Sequence, residues 1–500
     1  MTEQHQHDHE RTSRREQVEH GLLPIVRIAG QPTRWTFAER LAHYHCPATS
    51  VAVMHEGRID WLGGYGHLDA LGRPADSTDV DDSDNGSSNS TSRRVLDPCG
   101  PDTIFMVASC SKPIAAALVL QQVERGVLDL DVPVNRYLRR WQVPDNDFTV
   151  DHPVTLRGCL SHTAGLTVNG WGVVPRDGSP VPTPLDLLEG RPPSHMPPVV
   201  VDRVHDGTSR YSGGGYLLAQ LVLEDVLGRS FEDLADEMLF DPLGMTRSTY
   251  RHPLPERYHH DVASGHGDDG QPAPGGWMIA PERAAGGLFS TARDYATFLL
   301  AVRAAVRGEP GAVLGQSLAR EMVTRHEHGA FGLGFRVLGD GATTRINHGG
   351  SNDGYQCETD LYLESGDGAV VLTNATSGLL LFREVLNGVA DAYDWPGYMP
   401  APKRLATLSE ADLQRYVGEY RIVAGIELPR LTVWTEGGRL FNQVPGLRFG
   451  VQEAYCDTDG VLFSQTGPFE THVTFGPDGR AVELQVMEGA VPVLRAVRVG

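Results

Sequence analysis

Ser109-Cys110-Ser111-Lys112 opens an apolar segment and holds the residue types that nucleophilic acyl transfer needs. On a helix, positions i and i+3 share one face, so Ser109 and Lys112 can touch while Ser111 points elsewhere. A serine hydroxyl is a poor nucleophile until something takes its proton. A lysine held neutral by desolvation or by neighbouring positive charge can take it. The amino end of a helix adds unpaired N–H groups that favour developing negative charge. Pro113 suits that place, because its missing N–H would be one of the orphan donors. Alone, S-x-x-K is a weak signal, since so short a pattern recurs by chance.

Two later segments supply context. Tyr211 stands in Arg210-Tyr211-Ser212-Gly213-Gly214-Gly215-Tyr216, ahead of a helical run. A phenol held in a glycine-rich bend can approach a second group without crowding. Close to Lys112 the positive charge would favour phenolate and make Tyr211 a proton shuttle. The plainer alternative is a turn aromatic that only packs. Asn347-His348-Gly349-Gly350-Ser351 precedes a strand-like run. Its paired glycines let backbone approach a ligand, and an exposed N–H there can complete an oxyanion hole. His348 would add a polar or cationic group, although a lone histidine before glycines is more often a loop residue.

In this order the three segments resemble the signature of the serine β-lactamase and penicillin-binding-protein superfamily: S-x-x-K, then Y-x-N or S-x-N, then K-T-G. The likeness is strongest to the class C-like branch, with family VIII carboxylesterases and D-aminopeptidases, where H-x-G often replaces K-T-G. Residues 160–166 (LSHTAGL), 241–245 (DPLGM) and 285–291 (AGGLFST) extend the resemblance over roughly residues 35–395. It implies that Ser109 is the nucleophile, Lys112 its activating partner, and Tyr211 the general base that later protonates the leaving group. His348 takes the place of the third-motif lysine. The backbone N–H groups of Ser109 and Ser351 would form the oxyanion hole, with Gly349, Gly350 and Gly213 beside the substrate. The implied chemistry is acyl transfer through an acyl-enzyme, with no metal or organic cofactor.

One departure stands out: Gly213 occupies the position where the second motif ends in asparagine. A missing hydrogen-bond partner costs on the order of 1–3 kcal/mol, so recognition of a β-lactam or peptide amide should weaken. His348 in place of lysine weakens the anchor for a substrate carboxylate. Both changes favour a small ester. The alternatives are a D-aminopeptidase, amidase or peptide acyl transferase with slow β-lactamase activity, or a non-catalytic scaffold on the same fold.

Helical spacing of Ile114, Leu118, Val119 and Val123 carries the nucleophile segment as far as Gly126. Further helices are expected at 291–308 and about 378–393. Strands are expected from Ser50 around a turn at Glu56-Gly57, at 335–338, and over 359–374. The resemblance implies an α+β fold over residues 21–400. An antiparallel sheet drawn from the first and last parts is flanked by helices, and a mostly helical subdomain is inserted. WPGYMPAPKR (395–404) reads as a boundary, and residues 405–500 as a small antiparallel β-barrel-like domain resembling a lipocalin-like appendage. That domain is open to three roles: passive stabiliser, cleft cap or dimerisation surface. Residues 1–20, including His5, His7 and His9, read as a disordered polar tail, and 76–97 as a flexible acidic, Ser-rich insertion.

The 500 residues carry 43 Lys+Arg against 64 Asp+Glu, a net charge of −21. Such a surface disfavours nucleic acid and anionic lipid. No apolar run reaches the roughly 20 residues of a spanning helix, and the amino terminus has no apolar stretch of signal-peptide length. The six cysteines are dispersed without a CxxC pair, so reduced thiols are expected. The expectation is a cytoplasmic enzyme for a small-molecule ester or amide, acting without nucleic acid or membrane, its homodimerisation left open.

Overall fold

Two strands from early in the chain and four from much later share one antiparallel sheet. The structure is a computed structural model that describes residues 3–71, 73–74, 94–204, 207–326, 328–425, 428–446, 450–489 and 491–499. Nearly all of the acidic insertion expected at 76–97 lies outside these. The elements that matter below begin with α1 (Glu3–Glu19), β1 (Ala48–His55), β2 (Arg58–Gly66), α2 (Ser111–Glu124), α3 (Leu156–Leu160) and α4 (Gly213–Leu227). They continue with α5 (Arg283–Gly286), α6 (Ala292–Arg307), β3 (Arg336–Leu338), β4 (Arg345–Asn352), β5 (Tyr355–Tyr362), β6 (Gly368–Thr373) and α7 (Gly378–Ala392).

The sheet order is β2-β1-β6-β5-β4-β3, with Val51 opposite Val371 at its centre and His348 opposite Thr359 nearer the edge. β6 and all but the last residue of β1 are buried, which is why both read as near-continuous apolar runs. α6 lays its apolar face on β1, β2 and β6. It starts at Thr291, whose Oγ1 accepts the Asp294 N–H, and stops at Gly308 in the left-handed region. α2 is apolar on every side, and its first twelve residues are buried at the centre of the unit.

Three expectations change. The segment around His348 is itself a strand, β4, because β3 and β5 offer it backbone partners on both sides. The run 359–374 is two strands, the end of β5 and β6, separated by a turn. Residues 3–19 form helix α1 and not an irregular tail. Its Gln, Glu and Arg residues are good helix formers, Glu10 pairs with Arg14 one turn on, and Val18 is buried.

The chain divides into two compact units, residues 1–15 with 38–382 and residues 16–37 with 383–500. The second contains α8 (Glu410–Gln414) and an eight-stranded antiparallel barrel. Its strands are β7 (Gly418–Ala424), β8 (Arg430–Glu436), β9 (Arg439–Gln443), β10 (Gln452–Cys456), β11 (Leu462–Phe463), β12 (Phe469–Phe475), β13 (Ala481–Glu488) and β14 (Val491–Arg498). Pairing of β7 with β14 closes the cylinder and removes free edges. All six cysteines are buried thiols without disulfides. Among the described residues no helix is long and apolar enough to cross a membrane.

Candidate active site

Ser109 lies on a single 3-10 turn, Ala108–Cys110, that runs straight into α2. Ala108 has φ +46°, a left-handed conformation uncommon outside glycine, so the backbone is strained beside the hydroxyl. Ser111 ties the turn down: its Oγ donates to the Ala108 carbonyl at 2.6 Å and accepts the Leu288 N–H at 2.9 Å. Its side chain therefore serves the scaffold. Lys112 is only 1% exposed. Its Nζ donates to Ser109 Oγ at 3.1 Å and to the Ala285 carbonyl, on α5, at 2.6 Å. Ser109 is half-buried.

Tyr211 precedes Ser212, the cap of α4, whose Oγ accepts the Gly215 N–H. The Ser212 N–H donates to His162 Nδ1 at 3.1 Å, and the Tyr211 and His162 rings lie 4.4 Å apart. The Lys112 Nζ sits 4.8 Å from the centre of the Tyr211 ring. The Lys112 Nζ thus lies over the face of the ring, with no hydrogen bond to the phenol oxygen. Among the described residues that oxygen has no hydrogen-bond partner.

His348 is buried in β4, its ring 6.2 Å from that of Tyr211. Nδ1–H donates to the Gly349 carbonyl at 2.7 Å, which leaves Nε2 as an acceptor without a partner. Burial, reinforced by the charge of Lys112, pushes its pKa down to about 3. His348 is therefore neutral at pH 7, and the cationic option for it falls away. Gly350 lets β4 lie against the nucleophile turn: a Cβ there would meet the Val107 carbonyl oxygen at 2.2 Å. Cys110 Sγ donates to the His348 carbonyl across the same contact, at 3.3 Å. Gly349 is half-buried with the Glu358 carboxylate nearest it, and Ser351 is exposed at the end of the strand.

Gly213 is buried in the first turn of α4 and not open to a substrate. Its N–H donates to the Asn169 carbonyl at 3.1 Å, and a Cβ would stand 2.8 Å from that oxygen. The backbone of 169–170 fills the room an asparagine side chain would need. Val168, next to it, holds φ +62°, which a β-branched residue rarely adopts.

Three residues that sequence reasoning did not single out join the site. His162 positions Tyr211, and burial pushes its pKa well below the usual histidine range. Phe331 packs against both rings, 4.7 Å from His162 and 5.9 Å from Tyr211. Glu282, directly before α5, is 4% exposed with Oε2 unpartnered. Burial lifts its carboxyl to about 7, against the lowering pull of its own N–H and of Lys112. The LSHTAGL stretch could have flagged His162, whereas a lone Glu282 in a small-residue run carries no signal. Among the described residues no cluster could hold a metal ion.

A hydroxyl, an amine, a phenol and a neutral imidazole acceptor thus meet at the mouth of α2. The family described as Beta-lactamase matches residues 34–394. Penicillin-binding protein 4* of Bacillus subtilis (strain 168) is 24% identical over 417 residues, 76% of this chain and 85% of that protein. Esterase EstB of Burkholderia gladioli is 32% identical over 188 residues, 35% of this chain and 45% of the esterase. The D-amino acid amidase of Ochrobactrum anthropi SV3, complexed with D-phenylalanine, shares the fold at TM-score 0.57 and 20% identity, over 76% of this chain and 99% of that one. With these matches the chain belongs to the β-lactamase family, in the serine β-lactamase and penicillin-binding-protein superfamily.

Proposed function

We propose that this protein is a serine hydrolase that cleaves small esters through a covalent acyl-enzyme on Ser109. The observation that carries the reading is the 3.1 Å contact between Lys112 Nζ and Ser109 Oγ, on a serine that is only half-buried. Ser109 Oγ attacks the ester carbonyl while its proton passes to Lys112 in the amine form. Collapse of the tetrahedral adduct expels the alkoxide, and a proton relayed through Tyr211 leaves with it as alcohol. Water then repeats the sequence on the acyl-enzyme. The backbone N–H groups of Ser109 and Ser351 are the proposed oxyanion donors.

Two features support an ester. The amide that would grip an acylamino group is absent at Gly213, and its space is filled by 169–170. His348 is neutral and offers no charge for a substrate carboxylate. A second reading, hydrolysis of amino-acid amides, is favoured by Glu282, a buried carboxyl that feels the charge of Lys112 and has one unpartnered oxygen. Such an oxygen could receive a substrate ammonium. Turnover of p-nitrophenyl acetate and butyrate, set against D-phenylalaninamide, separates the two readings. Ser109→Ala should abolish turnover and fluorophosphonate labelling together; parental ester turnover in that variant would remove the proposal.

A further inference from the structure

We infer that the interior of the barrel is a binding site for a small, neutral, mostly apolar molecule carrying one hydrogen-bonding head group. Eight strands give an interior that side chains can either fill or leave open for one small ligand. Here the two ends differ. One is filled: Tyr420 is wholly buried, its Oη donates to the Tyr416 carbonyl at 2.6 Å, and α8 lies just before Tyr416. The Arg498 guanidinium tightens that end with bonds of 2.8 Å to the Val417 carbonyl and to Tyr420 Oη.

Toward the other end the barrel holds a cavity of about 230 Å³. Register explains the void. Val433, Asn442 and Gln452 face one another across β8, β9 and β10, and Thr471, Val486 and Leu494 do so across β12, β13 and β14. These are short or medium side chains, and Ala454, Gly450 and Gly467 add little bulk between them. The wall is therefore two-sided. An apolar arc on β13 and β14 stands across from a polar arc on β9 and β10. On the polar side Gln452 Oε1 already accepts Ser464 Oγ–H at 2.9 Å, whereas the Asn442 amide makes no hydrogen bond among the described residues.

That lining specifies chemistry. The described lining residues are uncharged and offer an ionised head group no counter-charge for its lost water, while a hydroxyl could bond Asn442. A cavity of ~150 Å³ suffices for benzene, which scales to about nine heavy atoms here. 1-Octanol has that size, and each methylene should tighten binding about fourfold.

Titration calorimetry on the full-length protein at pH 8 tests this with 1-octanol, 1-hexanol and octanoate. A single 1-octanol site is expected, with 1-hexanol about fifteenfold weaker and octanoate at least tenfold weaker. Ser109→Ala should leave the 1-octanol affinity unchanged. Ala454→Phe, which fills the void, should abolish binding, and the near-isosteric Asn442→Leu should weaken it about fivefold. Should Ala454→Phe lose its cooperative unfolding transition, Asn442→Leu carries the test. Absence of binding to the parent protein, octanoate as tight as 1-octanol, loss of binding in Ser109→Ala, or undiminished affinity in folded Ala454→Phe or Asn442→Leu overturns the inference.

Discussion

Lys112 and Tyr211 are held differently, and their substitution should separate chemistry from packing. The Lys112 Nζ satisfies a buried carbonyl as well as Ser109 Oγ, so Lys112→Met should lower both stability and rate. The expected loss is about 10²–10⁴ in kcat/KM, with a drop of a few degrees in Tm. Tyr211 Oη has no hydrogen-bond partner among the described residues, so Tyr211→Phe should leave Tm unchanged while kcat falls about 10²-fold or more. Unchanged kcat would instead mark Tyr211 as an aromatic that only packs. Glu282 offers a third test, because its carboxyl titrates near neutrality under the cost of burial. Glutamine mimics the protonated form. Glu282→Gln should match the parent at pH 6 and depart from it at pH 8, flattening the kcat/KM profile through about 7. Identical profiles would remove Glu282 from the site.

Strand β4 shows how an element can deliver a residue by lacking side chains. An alanine at Gly350 would drive its Cβ into the Val107 carbonyl, which cannot swing aside, whereas at Gly349 the nearest atom is the end of the Glu358 side chain. Gly350→Ala should therefore cost more Tm and more activity than Gly349→Ala, in thermal melts and ester assays run side by side. Equal losses would mean that β4 is not pressed against the nucleophile turn. This strand was hidden in the sequence because N-H-G-G-S has no alternating apolar side, and its extension depends on β3 and β5. The same limit hid the filling of Gly213, since a loop 44 residues away leaves no local trace. By contrast, α2 and α6 were legible from helical spacing and a glycine stop, and the barrel from repeated strand–glycine–strand units that register simply stacks. Local spacing also carried Ser109 and Lys112, because a 3-10 turn running into α2 brings i and i+3 together without a distant partner. Helix α1 escaped notice for the opposite reason: its composition is polar almost throughout, yet its residues propagate a helix well.

At the scale of the whole chain, buried histidines set how stability responds to acid. His162, His252 and His348 are each held neutral by burial, with His252 and His348 pushed down to about 3. An unfolded chain would take up their protons near pH 6.5, whereas the folded one resists until far lower. Stability that is complete above about 6.5 is therefore lost as pH falls toward 3, at up to about 1.4 kcal/mol per pH unit for each imidazole. Glu282 runs the other way. Its raised carboxyl contributes stability that is full below its unfolded value and is lost as pH rises through about 7. The net charge of −21 adds a further opposing trend, because acid relieves self-repulsion. Absolute Tm against pH therefore mixes several sources, and a difference between variants isolates one. His252 lies outside the proposed chemistry, donating through Nε2–H to the Gly287 carbonyl at 2.7 Å, with Nδ1 buried and unpartnered. His252→Phe should lower Tm at pH 8 through the lost bond. It should also reduce the decline between pH 6.5 and 4 by about one proton's worth, as read by circular dichroism melts at half-unit steps. A decline parallel to that of the parent would mean that the His252 imidazole is already charged in the folded state.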